Sequence, residues 1–524
     1  MMPDGRPQIA LRTPVVALTP LDRFFFATTL AVTLALALIL SSNRLMWNDE
    51  FLSLYSDSVP TARGVIDVQL HHPISLDPPT YHLLSHFSMD VIGPSAVALR
   101  LPAMTGFLLM QISLFALVRR IAGVRSGIVA MLLPPLTASF RYAAEGRPYG
   151  LLLGLYAAAF ACWFLASWST GKRPFLLLGL ALSIALAITS HYFGILILLP
   201  VGVAELVRTC ERRKLDAGML AALALGAASV AIILPFGRGL APYRTHYYIK
   251  SVSVRAVTQG YRELFVRYTA LPIPFQRVIA FAMLLATAAL AFAALRRFRR
   301  RPAHEPASLW AGLATLALLP LFGFLVGRFV THTMEVRYVI AALLAFAVVI
   351  AMLLERRLAS RAFYIGVYAT TLLAAIAIGT ATIVSNAKET RTLLVGMQPS
   401  AALVDALAKS PTARIYTQSL GDFYLDTYYA PDPGLRTRFS LIYDEPSEVS
   451  WFQHNTNAVT AVNMQHFTAF SIVPYSTFLN VPNALFLDYG SGWEWAHNDL
   501  NARRIPLQPL GPALRGQLFQ IVPR

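Results

Sequence analysis

Residues 23–50 read RFFFATTLAVTLALALILSSNRLMWNDE. After Arg23 the run to Ser42 carries no charge, and at about 1.5 Å per residue it is long enough to cross a hydrocarbon layer roughly 30 Å thick. Behind it come Asn43-Arg44 and then an acidic pair, Asp49-Glu50, at the point where a membrane helix would surface. This stretch predicts an anchor that ends on carboxylates.

The rest of the chain agrees with that beginning. Of 524 residues, 56% are apolar and only 14% are charged, whereas about a quarter of the residues of a soluble domain are charged. Windows of about 20 apolar residues predict about eleven spans. They centre on Arg23–Ser42, Val97–Val118, Gly127–Arg141, Tyr149–Trp168, Phe175–Ser190, Tyr192–Val207, Ala217–Phe236, Val278–Leu295, Leu309–Phe329, Val339–Leu354 and Phe363–Val384. Cys162 and Cys210 are the only cysteines, which excludes a disulfide framework and a cysteine-based metal site.

The net charge of +17 reads as topology rather than as nucleic-acid binding. Alternate connections are short and basic: Arg119-Arg120…Arg125, Lys172-Arg173, Arg208…Lys214, Arg296…Arg301 and Arg356-Arg357…Arg361. Cytoplasmic loops carry such an excess. The N-terminus is therefore expected in the cytoplasm, with the other loops outside. An odd number of spans puts the C-terminal end outside as well. No signal-peptide cleavage pattern precedes Arg23, so the first span is expected to stay as an anchor. After about Lys388 the composition becomes that of a soluble domain. Ala401–Ala408 has helical spacing, and Arg414–Thr417, Ala484–Tyr489 and Leu518–Val522 read as strands. The expected fold is a polytopic α-helical membrane domain over residues 1–387, with outward interfacial helices, and a small extracytoplasmic α/β domain over 388–524.

The candidate chemistry lies at outward helix ends. Asp49-Glu50 reads either as a functional acid pair or as an interfacial helix cap, since an ionised carboxylate beside hydrocarbon must be solvated, paired or used. Asp77-Pro78-Pro79 holds an acid in stiff backbone and reads as a site acid or a simple turn. Glu145-Gly146-Arg147-Pro148-Tyr149 and Glu335-Val336-Arg337-Tyr338 each set an acid, an arginine and a tyrosine at a helix start. Each is either a phosphate-binding fork or an interfacial ion pair with a belt tyrosine. His191-Tyr192 faces the same side. His71-His72, His82 and His86 lack ligand spacing, so no metal is expected. There is no phosphate-binding glycine loop and no nucleophile elbow.

The ordered set Asp49-Glu50, Asp77-Pro78-Pro79-Thr80-Tyr81, Arg100-Leu101-Pro102, Arg147-Pro148-Tyr149, His191-Tyr192 and Glu335-Val336-Arg337-Tyr338 resembles the type-C glycosyltransferase superfamily. Within it the chain looks most like bacterial relatives of the dolichyl-phosphate-mannose protein mannosyltransferases and the lipid A aminoarabinose transferases. The resemblance implies transfer of a sugar from a polyprenyl-phosphate donor to a lipid, glycan or protein acceptor outside the cytoplasmic leaflet of the plasma (inner) membrane. Asp49 would be the general base, with Glu50 and Asp77 as supporting acids. Arg147 and Arg337 would bind the donor phosphate, and Tyr149, His191, Tyr81, Glu335 and Glu145 would contact substrate. No cofactor, metal or nucleic acid is implied; membrane lipids are. One departure is Asp77-Pro78-Pro79-Thr80-Tyr81-His82, where many relatives carry another residue before the prolines and Leu-Tyr-Tyr after them. It leaves the acceptor open. The rival reading, a transporter or lipid-linked sugar flippase, would place ionisable residues at mid-membrane and often repeat itself. Neither feature is found in the sequence.

Overall fold

The computed structural model describes residues 17–169, 171–244, 252–266, 273–300, 306–490, 492 and 494–522. Among the described residues, helices dominate from Pro20 to Gly396, and strands begin at Ile415. Among the described residues seven helices are long and apolar enough to cross a membrane, and a pair bent by 51° at Leu318 makes up to eight. The expected count of about eleven is higher for identifiable reasons. Two expected spans fall in the continuous helical stretch Ala96–Leu136. Leu343–Leu358 is too short to pass on length, and the expected span Val278–Leu295 lies within the helix Ile273–Arg300, only partly among the described side chains.

That long stretch is two helices in space. At Gly123 the backbone takes φ 84 and ψ 172, values open to glycine and strained for a residue with a Cβ. The chain reverses there, and Gln111 Nε2 donates to Met131 O at 3.0 Å. The second arm stops at Leu132, short of the expected Arg141, because Pro134 and Pro135 supply no N–H and start a 3₁₀ turn. A second 3₁₀ segment, Ala138–Ala144, carries the chain to the next span.

The chain divides into two compact units. The first comprises Met1–Ser42, Asp77–Leu234 and Lys250–Thr382. Its helices Ala96–Leu132 and Tyr149–Trp168 meet backbone to backbone. A Cβ on Gly154 would lie 2.2 Å from Gly106 O, and one on Gly150 would lie 2.4 Å from Tyr142 O. The Gly150–Gly154 spacing is the small-residue pattern that lets membrane helices approach closely. It fixes the helix start at Tyr149. Arg100, fully buried, donates to Ser41 O at 2.6 Å and caps the carboxyl end of Pro20–Asn43. A separate core gathers Phe25, Phe115, Ile128, Met131, Tyr364 and Tyr368, with Phe25 stacked on Tyr368 at 3.6 Å.

The second unit comprises Asn43–Leu76, Pro235–Ile249 and Ile383–Arg524. Its sheet has six strands: β1 Ile415–Thr417, β2 Phe439–Tyr443, β3 Ser471–Pro474, β4 Leu485–Asp488, β5 Leu507–Ala513 and β6 Gly516–Ile521. The spatial order is β3-β2-β1-β4-β6-β5. β1 to β4 run parallel, while β6 pairs antiparallel with β4 and with β5. Tyr416, Ile442, Phe478, Phe486, Trp495 and Leu500 form its core. The loop after the first span joins this unit as two helices, Asn48–Asp57 and Ala62–His71. Pro73 O accepts from Tyr243 Oη at 2.8 Å and from Asn463 Nδ2 at 2.9 Å, tying three distant segments together.

Candidate active site

Three helix ends of the first unit converge on Asp77. Pro78 caps the helix Pro79–Ile92 in extended backbone, and Pro79 occupies its first turn. Thr80 Oγ1 donates to Thr189 Oγ1 at 2.7 Å, binding this start to the end of Arg173–Ser190. His191 follows directly in extended backbone. Arg147 enters from the turn before Tyr149–Trp168, a turn closed by Arg147 N donating to Glu145 O at 2.7 Å. Arg147 Nη2 lies 2.6 Å from Asp77 Oδ2, and His191 Nε2 lies 3.5 Å from Asp77 Oδ1. Asp77 is 6% exposed and Arg147 is 7% exposed.

Burial alone, the largest effect, would raise the Asp77 pKa, but Arg147, His191, His82 and Arg337 together outweigh it and hold the carboxyl below its usual range. For His191 burial dominates. It pushes the imidazole down to about 4; Asp77 opposes this, and Arg147 and Arg337 add to it. The imidazole is therefore neutral at pH 7. Its Nδ1 accepts from Phe193 N at 3.1 Å, which puts the ring proton on Nε2, facing Asp77. Asp77 is thus an ionised acid held between a guanidinium and a neutral imidazole.

An aromatic platform adjoins this pair. The Tyr149 ring lies 5.6 Å from His191, 5.5 Å from Tyr142 and 6.3 Å from Tyr338. The guanidinium of Arg337 sits 5.4 Å above Tyr149 and 5.8 Å above Tyr338. Beyond Tyr142, Arg141 donates to the Tyr142 hydroxyl at 2.8 Å and lies 3.9 Å from Glu145. Guanidinium forks beside ring faces suit an anionic oxygen next to an apolar or sugar-like body.

The expected residues Asp77, Arg147, Tyr149, His191, Arg337 and Glu145 thus share one cluster. Tyr81 is fully buried and its hydroxyl donates to Leu99 O at 2.9 Å, which ties the start of Pro79–Ile92 to the next helix. Glu335 is half-buried at the entry to the short turn Val336–Tyr338, and its carbonyl accepts from Tyr338 N.

Asp49 and Glu50 belong to the second unit. They start the helix Asn48–Asp57, whose first turn they occupy. Glu50 is fully buried, accepts from Trp47 N at 3.3 Å and lies 3.4 Å from Arg44 Nη2. It has the reciprocal position of a capping box. Asp49, beside it, is half-buried. Among the described residues no three His, Cys, Asp or Glu side chains group as metal ligands would.

Residues 76–237 match the family described as dolichyl-phosphate-mannose-protein mannosyltransferase. No curated protein matches the chain in sequence. In structure it is similar to the crystal structure of ArnT from Cupriavidus metallidurans in the apo state. The identity is 13% and the TM-score 0.58, over 95% of this chain and 98% of that one. The same relative bound to undecaprenyl phosphate aligns over 96% and 98%, at 15% identity and a TM-score of 0.51. By fold, the chain is similar to this transferase, and residues 76–237 carry the match to the mannosyltransferase family model.

The family match begins just before Asp77 and takes in Arg147 and His191. Asp49-Glu50 precede it and Arg337 follows it. Sequence reading passed over Tyr338, Tyr142, Arg141 and His82 as members of the cluster. Tyr338 packs 4.9 Å from His191 and 4.7 Å from Phe193, and His82, in the first turn of Pro79–Ile92, bears electrostatically on Asp77. The usable signal was position: Tyr338 follows Arg337, and Arg141-Tyr142 precede Arg147 by one turn or two.

Proposed function

We propose that the chain is a multi-pass glycosyltransferase of the plasma (inner) membrane. It moves a sugar from a polyprenyl-phosphate donor to an extracytoplasmic lipid, glycan or protein acceptor. Its N-terminus lies in the cytoplasm, residues 1–387 form the transferase domain, and residues 388–524 form a domain outside. The observation that carries this reading is the Asp77–Arg147 pair beside Arg337 on its aromatic platform, at 2.6 Å and 5.4 Å respectively. That a structural relative has been crystallised with undecaprenyl phosphate supports the donor class.

Asp49 takes the proton of the acceptor hydroxyl as its oxygen bonds the anomeric carbon. The bond from that carbon to the phosphate oxygen breaks, its electron pair leaves with the lipid phosphate, and the configuration inverts. Arg147 and Arg337 receive the growing phosphate charge. Asp77, held ionised by Arg147, positions that guanidinium. Its depressed pKa makes it a poor proton acceptor. Tyr149 and His191 line the donor, and Glu145 orders Arg141.

The test uses purified protein in detergent with a ¹⁴C-labelled lipid extract from a strain lacking the gene, which supplies donor and acceptor together. Wild type should move label from the polyprenyl-phosphate fraction. Asp49→Asn should keep donor binding and lose turnover by roughly a hundredfold or more. Full turnover in that variant ends the base assignment, and, with the protein reconstituted in vesicles, label that crosses the bilayer uncleaved would favour a flippase.

A further inference from the structure

The C-terminal sheet reverses its strand order between β1 and β4. In open parallel sheets the crevice at the carboxyl ends of such strands is where ligands bind. Here side chains of the same chain occupy it. Gln418, just past β1, accepts from Ala496 N at 2.5 Å. Glu494 accepts from Tyr489 N at 2.8 Å and Gly490 N at 2.9 Å, just past β4. The Tyr489 hydroxyl donates to Asp426. Arg515, from the turn between β5 and β6, donates to Asp422 at 2.5 Å and to Asp426 at 2.9 Å.

Asp422 and Asp426 are four residues apart, on one face of the helix Leu420–Tyr429. Arg515 and Tyr489 therefore grip that face, with Asp426 fully buried. The opposite face is aromatic and receives the helix Asn48–Asp57. Phe51 lies 5.5 Å from Tyr424 and 5.6 Å from Tyr428, and Tyr55 lies 5.4 Å from Tyr424. At the end of the same helix the Tyr429 hydroxyl accepts from Met46 N at 3.0 Å. Met46 is three residues before Asp49, and Phe51 is two after it. The segment bearing the proposed base is thus seated from both sides on one rigid helix, itself locked to the sheet.

We infer that the helix Leu420–Tyr429 is the positioning element of Asp49, and that Tyr429 and Arg515 are positioning residues that act on sugar transfer through that carboxylate. The inference rests on the reading of Asp49 as base. It gives the C-terminal domain a task in catalysis. A misplacement of about 1 Å can cost roughly a hundredfold in rate, so a seat of this kind bears on turnover and leaves the affinity for the lipid donor alone.

The experiment is a double-mutant cycle on the full chain in detergent, with the same labelled lipid extract. Tyr429→Phe removes one hydroxyl, and its ring can keep its packing. It should lower kcat by about tenfold with KM for the donor within about twofold. Arg515→Met should lower kcat further, by up to roughly a hundredfold. In an Asp49→Asn background Tyr429→Phe should cost nothing more, because the residual rate no longer uses the carboxylate. An equal loss in both backgrounds, or no loss in either, overturns the positioning role even if Arg515→Met fails to fold. Full activity of Asp49→Asn alone removes the base assignment instead, a result separable from the other two.

Discussion

The helices Tyr149–Trp168 and Arg173–Ser190 carry a cluster of ionised groups at each end, and the two clusters are built differently. At the Trp168–Arg173 end, Arg208 forks onto Glu205 with two bonds of 2.7 Å and reaches Asp216 at 2.7 Å. Arg173 adds a 2.5 Å bond to Asp216, and Trp163 donates to Glu205 at 3.0 Å. Asp216 also caps the next helix through Met219 N. Acids and arginines here saturate one another. At the Tyr149–His191 end, Arg147 pairs with Asp77, and Arg337 lies over the faces of Tyr149 and Tyr338. A closed network of forks fastens helices. A guanidinium spread on ring faces next to a buried ion pair offers a surface to an anion. The same residue types therefore make a staple at one end and the proposed donor site at the other.

The contrast is broken most directly at the staple. Arg208→Ala leaves Glu205 buried without its fork and should cost about 3–5 kcal/mol of stability, the usual scale for a halved buried pair. Thermal unfolding in detergent measures this. Turnover per folded molecule should stay within about twofold. A large loss of kcat at unchanged Tm would mean that this end also belongs to the site.

At the other end Arg147→Ala should weaken undecaprenyl phosphate by roughly ten- to a hundredfold, the value of a charge-assisted hydrogen bond of about 1.5–3 kcal/mol. Titration by thermophoresis reads it. Pairing it with Asp77→Asn should restore Tm and leave affinity low. Arg337→Lys should give a smaller loss of a few fold, since charge survives but the planar fork over the rings does not. Unchanged affinity in both would remove this cluster from the donor site.

The smallest effect sharpens the electrostatics. The folded pKa of His191 is about 4, below an unfolded value of about 6.5. The folded state then binds fewer protons in that window. The stabilising contribution of the neutral ring is complete above about pH 6.5 and is lost as pH falls through about 4. Wild-type Tm should decline over that range more steeply than the Tm of His191→Gln. Parallel curves would mean that the imidazole is not desolvated as described.

How much of this the sequence carried depends on the range of the interaction. The apolar windows were legible because transfer into hydrocarbon is summed residue by residue along one segment. The pause at Pro134-Pro135 was legible as punctuation, but the helix end at Leu132 was placed nine residues too late, at Arg141. The strands at Ile415–Thr417, Leu485–Asp488 and Gly516–Ile521 were read from their runs. Those at Phe439–Tyr443, Ser471–Pro474 and Leu507–Ala513 were missed. The last contains Pro509 and Pro512, which argue against a central strand, and it lies at the sheet edge, where proline is tolerated.

The sequence by itself determined a polytopic membrane chain, a soluble-type α/β region behind it, and a short roll of acids, arginines and tyrosines at helix ends. Local hydropathy and backbone chemistry suffice for that. Only the tertiary structure decided that Asp77 pairs with Arg147 and that the Tyr81 hydroxyl reaches Leu99 O. Only it joined Met46 to Tyr429, 383 residues away. Those outcomes rest on which helix ends meet, and that is settled by close packing such as Gly106 against Gly154, not by any property of a single segment.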